Sequence, residues 1–394
     1  MVSNIQTILI LASLCACGSS PIRDEPNGQL KAFELGESVK RVDADAQAVL
    51  KGGSIPGMAM AILNRDGIWA LGVAGKTHTN GRPLLSSDRF HLGSNTKAMT
   101  ATLVARFVEQ GKLTWSTTLS ELFPKARIHP KLWVVTVEQL LRHESGLTPW
   151  TDPSADPSDW ATIAATTQAT VVKGRLKIAR SLIKRPPKSA VGTFSYSNAG
   201  YIVLGAALEM MTSKSWETLI KTDVFGPLGM TNCGFGPTAT SASPDNVRGH
   251  LFRDGQFEVA PIGPKSDNPP LFGPAGTIHC DLGSWANFIR LHLGAGPTGY
   301  LKPETIKRLH KPNPKSKYAS GWVVPNPVIL VHEGSNSMNH AFVLANRKKK
   351  QALLVVMNAG PPPAVQSALK KALPILMKVA QAGAQALAPT KTDQ

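Results

Sequence analysis

Ser94 and Lys97 stand three residues apart in Gly93-Ser94-Asn95-Thr96-Lys97, a spacing that puts both side chains on one face of a helix. A serine hydroxyl is a poor nucleophile until a base takes its proton. A lysine can be that base only when neutral, and burial together with a positive helix N-terminus pushes its pKa down. The Ser94 N–H, at the same terminus, is free to donate to an oxyanion. Tyr196-Ser197-Asn198 adds a phenol that can shuttle protons and an amide for a substrate carbonyl or for Lys97. His332-Glu333-Gly334-Ser335 ends an apolar strand. Gly334 would let a substrate approach that strand edge, the Ser335 N–H would be a second oxyanion donor, and His332 a donor or proton carrier. The three patterns together describe serine acyl transfer.

Each has a plainer reading. Ser94 could be a helix cap, Tyr196 a core tyrosine, Asn198 a cap and His332 a strand-end surface residue. Ser181-Leu182-Ile183-Lys184 and Ser367-Ala368-Leu369-Lys370 repeat the Ser-x-x-Lys spacing inside basic amphipathic stretches, where both residues read as solvent-facing. Ser94 differs in context. The apolar run Arg89-Phe90-His91-Leu92 precedes it, and Ala98, Met99, Ala101, Leu103, Val104, Phe107 and Val108 cover most of the following helix. No Gly-x-Ser-x-Gly elbow or phosphate loop is present, and His143-Glu144 lacks a second histidine at zinc-helix spacing. His143 reads as part of a turn with Ser145 and Gly146, and His279 beside Cys280 as packing. No metal or cofactor is expected.

The elements that must position these residues come from both chain ends. A helix around Val39–Leu50 precedes two strands, Met58–Leu63 and Ile68–Val73, joined by Asn64-Arg65-Asp66-Gly67. Strands return at Val328–Val331, His340–Ala345 and Ala352–Met357, and a helix over Ala364–Ala380 closes the pattern. Between them, residues 113–310 read as largely helical, with Asn198–Met211 and Trp285–Leu293 clearest. One sheet built from the chain ends, holding a helical insertion, is the expected architecture.

Thr7–Ala16 is apolar, too short to span a bilayer, and fits a signal h-region, so residues 1–16 are expected to be a signal peptide. Leu14-Cys15-Ala16-Cys17-Gly18 resembles a bacterial lipobox, which would make Cys17 the lipidated first mature residue. Met1–Gln6 lacks the usual Lys or Arg, and an ordinary cleaved signal peptide is the alternative. On either reading the protein is exported, to the periplasm or an outer-membrane anchor. Residues 17–37 read as a tether, 38–382 as the domain and 383–394 as a polar tail.

With 42% hydrophobic and 18% charged residues, the chain can bury a substantial core. The formal charge of +17 lies entirely beyond residue 16. Export turns that charge toward anionic membrane or cell-wall polymer and away from nucleic acid. Arg347-Lys348-Lys349-Lys350, between two apolar runs, reads as a solvated hairpin turn. Cys233 and Cys280 could pair in an oxidising compartment or remain two buried thiols, and the sequence leaves both open.

Ser-x-x-Lys, Tyr-x-Asn and His-x-Gly in this order resemble the serine β-lactamase and penicillin-binding-protein superfamily, and within it the class C β-lactamase-related serine hydrolases. Val137–Leu147, Pro227-Leu228-Gly229-Met230, Gly273-Pro274-Ala275-Gly276-Thr277 and Gly334–Met338 carry the likeness further, over roughly residues 40–380. The resemblance implies an α/β (α+β) fold of β-lactamase/transpeptidase type, an antiparallel sheet flanked by helices with an all-helical insertion. It implies acylation of Ser94, Lys97 and Tyr196 sharing the base role, Asn198 orienting the substrate amide, and Ser94 and Ser335 forming the oxyanion hole. His332 stands where β-lactamases usually carry lysine, so a fixed cation for a substrate carboxylate is missing, and Glu333 adds a carboxylate. An ester or D-amino-acid amide is the expected substrate. A D,D-carboxypeptidase, a β-lactamase and a catalytically silent peptidoglycan-binding member are the alternatives.

Overall fold

The computed structural model describes residues 39–51, 55–151, 159, 162, 163, 165–360 and 362–386. The expected signal peptide, Cys17 and the whole of the tether lie outside the described residues. So does the tail beyond residue 386, while residues 383–386 extend the last helix.

The strands, in chain order, are β1 (Lys40–Arg41), β2 (Gly57–Leu63), β3 (Ile68–Gly75), β4 (Phe90–His91), β5 (Cys233–Phe235), β6 (His250–Arg253), β7 (Gln256–Val259), β8 (Ile278–Cys280), β9 (Ile329–Ser335), β10 (His340–Asn346) and β11 (Gln351–Met357). The longer helices are α1 (Asp43–Leu50), α2 (Thr96–Glu109), α3 (Val171–Lys184), α4 (Asn198–Thr212), α5 (Leu282–His292) and α6 (Pro362–Ala386). The main sheet runs β1-β3-β2-β11-β10-β9, antiparallel except for the short β1–β3 pair. Both chain ends therefore build it, as the pattern of apolar runs predicts.

Strand alternation divides the core in two. Met58, Met60 and Ile62 of β2 pack with Val49 of α1 and Leu369, Leu373 and Leu376 of α6. Ala59, Ala61 and Leu63 face the opposite side, joining Met99, Leu103 and Phe107 of α2 and the helix-rich body. The β2–β3 turn is held by Asn64, whose Oδ1 accepts the N–H groups of Asp66 and Gly67. The Arg347–Lys350 run does form the β10–β11 turn, but Arg347 folds back to donate to the Pro327 carbonyl instead of standing in solvent.

Residues 113–310 are helix-rich and also contain β5 to β8. These strands are three or four residues long, too short for alternation to reveal them in sequence. One group, β4-β8-β5, reaches the site, because β4 leads into Ser94. Cys233 and Cys280 are directly opposed on β5 and β8 and form a disulfide, which settles the choice between bond and thiols.

Candidate active site

The turn that carries Ser94 and the end of β9 meet through two glycines. Gly93 has φ +51°, the left-handed region that favours glycine, and a Cβ there would stand 2.3 Å from the Ser335 nitrogen. A Cβ on Gly334 would stand 2.0 Å from the Leu92 oxygen and 2.7 Å from the Ser94 nitrogen. Gly334 is expected from sequence to admit substrate. It does line the cleft, but its missing side chain also makes room for the backbone that carries Ser94. This contact brings the Ser94 and Ser335 N–H groups together. Asn95 locks the turn to the sheet, donating from Nδ2 to the Leu92 and Ala341 carbonyls at 3.0 and 3.1 Å.

Lys97 is fully buried at the start of α2. Its Nζ lies 3.0 Å from Ser94 Oγ, 2.7 Å from Asn198 Oδ1 and 2.7 Å from the Ala275 carbonyl oxygen. None of these partners is a carboxylate. Desolvation without a counter-ion pushes the amine well below its ordinary pKa. A neutral amine has two N–H groups and one lone pair. The carbonyls of Asn198 and Ala275 can only accept, so they take the two N–H groups and leave the lone pair facing the Ser94 hydroxyl.

Tyr196 is brought to the same place, with Lys97 Nζ 4.9 Å from its ring centroid. Its hydroxyl is buried without a hydrogen-bond partner. Burial raises its pKa, outweighing the opposing influence of Ser94. The burial that neutralises Lys97 also keeps Tyr196 protonated. Asn198 begins α4, where Ser197 caps the helix by accepting the Gly200 N–H. Besides accepting from Lys97, Asn198 donates from Nδ2 to the Trp150 carbonyl at 3.0 Å, so its amide is engaged mostly within the protein.

His332 departs furthest from expectation. It is buried, its Nε2 is 3.0 Å from the Tyr318 hydroxyl, and it stands behind the cleft wall instead of at a strand-end surface. Burial, with Lys97 nearby, pushes its pKa down to about 3, so it is neutral at ordinary pH. Two further neighbours stand at the site, His143, expected only as part of a turn, and Tyr318. His143 packs 4.3 Å from the Tyr196 ring and accepts the Ser197 N–H on Nδ1 at 3.1 Å, and Tyr318 packs 4.6 Å from His143. The scarcity of tyrosine, four in the chain, was the one signal available for Tyr318. The remaining pieces are as plain as they read. The Ser181 hydroxyl donates to Asp159, and Ser367 and Lys370 are exposed. His279 Nδ1 stands 2.9 Å from the Gly236 oxygen.

Ser94 opens onto a cleft of about 280 Å³ walled by Asn198, Ala275, Gly334, Ser335 and, from α6, Gln366. Among the described lining residues Glu333 is the one acid, and no lysine or arginine is present.

Comparison with known proteins agrees with this arrangement. Protein flp of Staphylococcus aureus (strain COL) is 25% identical over 336 residues, covering 82% of this chain; the chain spans 63% of that relative's length. An octameric penicillin-binding protein homologue from Pyrococcus abyssi superposes with a TM-score of 0.68 at 21% identity, over 84% of this chain and 75% of its own. A D-amino acid amidase from Ochrobactrum anthropi SV3 gives 0.65 at 18% identity, over 86% and 98%. The Beta-lactamase family model matches residues 42–375, and the chain belongs to that family.

Proposed function

We propose that the protein is a serine hydrolase that works through an acyl-enzyme on an ester or a D-amino-acid amide. The observation that carries this reading is Lys97, buried without a counter-ion 3.0 Å from Ser94 Oγ. The Ser94 oxygen attacks the substrate carbonyl carbon while its proton passes to the Lys97 lone pair. The carbonyl oxygen takes the electron pair and is held by the Ser94 and Ser335 N–H groups. The intermediate collapses, the leaving alcohol or amine takes the proton from the Lys97 ammonium, and the acyl group stays on Ser94. Water then attacks the ester, giving its proton to Lys97, and the acid departs as Ser94 recovers a proton. Tyr196, kept as a phenol, supplies an O–H beside Ser94, and Asn198 holds Lys97 in place.

The cleft supports the choice of substrate. With no cation among its described lining residues, a free carboxylate would be desolvated there without compensation, which disfavours β-lactams and D,D-peptides. The fold match to a D-amino acid amidase adds weight to the amide. The test is to treat the protein and Ser94→Ala with a fluorophosphonate and a fluorescent penicillin, and to locate adducts by mass spectrometry. Phosphonate on Ser94 without penicillin is expected; no adduct from either reagent sinks the enzyme reading.

We also place the protein outside the cytoplasm, against an anionic membrane. The Cys233–Cys280 disulfide supports an oxidising compartment. Lys173, Lys177, Arg180 and Lys184 form an exposed stripe along α3. The loop bearing Trp133 and Val134, 51% and 68% exposed, adjoins its end through the His129 N–H bond to the Ile183 carbonyl. Basic stripe and exposed indole together suit a lipid interface.

A further inference from the structure

The strand that delivers the nucleophile carries a buried histidine that takes no part in the proton transfers above. His91, on β4, is 2% exposed. Its Nδ1 accepts the Gly93 N–H at 3.1 Å, so the ring proton sits on Nε2. That nitrogen lies 2.7 Å from Asp267 Oδ1. The same carboxylate oxygen accepts Asn336 Nδ2 at 2.9 Å. Asn336 in turn organises its own loop, accepting the Asn339 N–H on Oδ1 at 3.0 Å.

The chain of contacts therefore runs from Gly93, the residue before Ser94, to Asn336, the residue after Ser335. These positions flank the two oxyanion donors. The donors belong to segments far apart in sequence, so something must fix the distance between them. Glycine packing sets only how closely the segments can approach, whereas a network of side chains also resists their separation. A buried aspartate side chain packed 2.7 Å from an imidazole nitrogen and hydrogen-bonded to an amide is an expensive way to gain stability. Its placement across the two segments has a functional rationale.

We infer that Asp267 and His91 are positioning residues that clamp the turn before Ser94 to the loop after Ser335 and so set the spacing of the oxyanion hole. The inference rests on the acyl-transfer reading and concerns geometry, because neither residue faces the reacting atoms. A misplacement near 1 Å costs about 100-fold in rate.

The test compares the full-length protein with Asp267→Asn, His91→Asn and His91→Phe. Active sites are first titrated with fluorophosphonate, so that rates refer to folded, reactive molecules. Acylation by a p-nitrophenyl ester is then followed by stopped flow. Asparagine at position 91 can place Oδ1 near the site of Nδ1 and keep an acceptor for Gly93, while phenylalanine keeps none. His91→Phe and Asp267→Asn are expected to slow acylation per titrated site by about 30- to 100-fold with KM within about twofold. His91→Asn should recover part of that loss, to roughly tenfold below wild type. Wild-type rates per titrated site in all three variants, with losses confined to folded yield or melting temperature, would make the network merely structural and overturn the inference. A wild-type protein that takes no phosphonate on Ser94 overturns the acyl-transfer reading instead, so the two failures are distinguishable.

Discussion

Two fully buried basic side chains lie beneath the same segment, residues 270–276, and do opposite work. Arg175 of α3 donates to Glu209 and, at 2.7 Å, to Glu217, and it also holds the Pro270 and Leu271 carbonyls at 3.2 Å. Lys97 holds the Ala275 carbonyl but meets no carboxylate. A guanidinium cannot shed its proton, so burial obliges the fold to supply counter-ions. An amine can shed one, so burial without a counter-ion yields a base. One site anchors the segment; the other uses its carbonyl to hold a lone pair toward the Ser94 hydroxyl. What separates structural from chemical burial here is the partner set, not the depth.

Exchanging each for methionine tests the contrast most severely. Lys97→Met should cut kcat/KM by roughly 10²- to 10⁴-fold while leaving the melting temperature unchanged or higher. Arg175→Met should strand two buried carboxylates and cost about 3–5 kcal/mol of stability, with the rate per titrated active site nearly preserved. Comparable rate losses in both variants would erase the distinction.

A smaller effect concerns pH. The base form of Lys97 is populated above its folded pKa, which burial holds well below the usual amine range. The kcat/KM profile should therefore rise on the acid side and reach its plateau well before the pH at which an exposed lysine deprotonates. Stability must be followed in parallel. His332 and His292 are held at about 3 and His250, His279 and His340 at about 4, all by burial. Their native forms refuse protons that the unfolded chain accepts, so stability is lost as pH falls from roughly 6.5 toward 4. A rate plateau appearing only above pH 10 would show Lys97 to be an ordinary ammonium.

The smallest effect lies on the surface, where the lysines of α3 are exposed. Binding to phosphatidylcholine vesicles containing roughly one-third phosphatidylglycerol should weaken about fivefold for each of Lys177→Gln and Lys184→Gln. Pure phosphatidylcholine should bind none of the forms. Equal binding by wild type and the double variant would remove this face from the membrane reading.

The residues that meet at Ser94 were legible in sequence because their relations are local. Ser94 and Lys97 share a helix turn, Tyr196 and Asn198 a helix start, and the apolar runs around them announce burial. What the sequence withheld is of a different kind. The Ala275 carbonyl that fixes Lys97 is a backbone atom, and no residue type signals it. His143 has φ +62° and contacts Tyr196 from a segment distant in sequence, a relation set by tertiary packing. The burial of His332 is of the same kind. Its neighbour Tyr318 is fourteen positions away, on a loop whose course the residue pattern does not specify.

The paired glycines at positions 93 and 334 bear on when the enzyme becomes an enzyme. One segment lies near the start of the fold and the other near its end, so their contact closes a loop spanning most of the domain, a late and entropically costly event. Until the sheet is complete, the Ser335 N–H is not beside Ser94. On the acyl-transfer proposal a partly folded chain would be chemically quiet, and activity recovered during refolding is expected to appear together with the joining of the two chain ends.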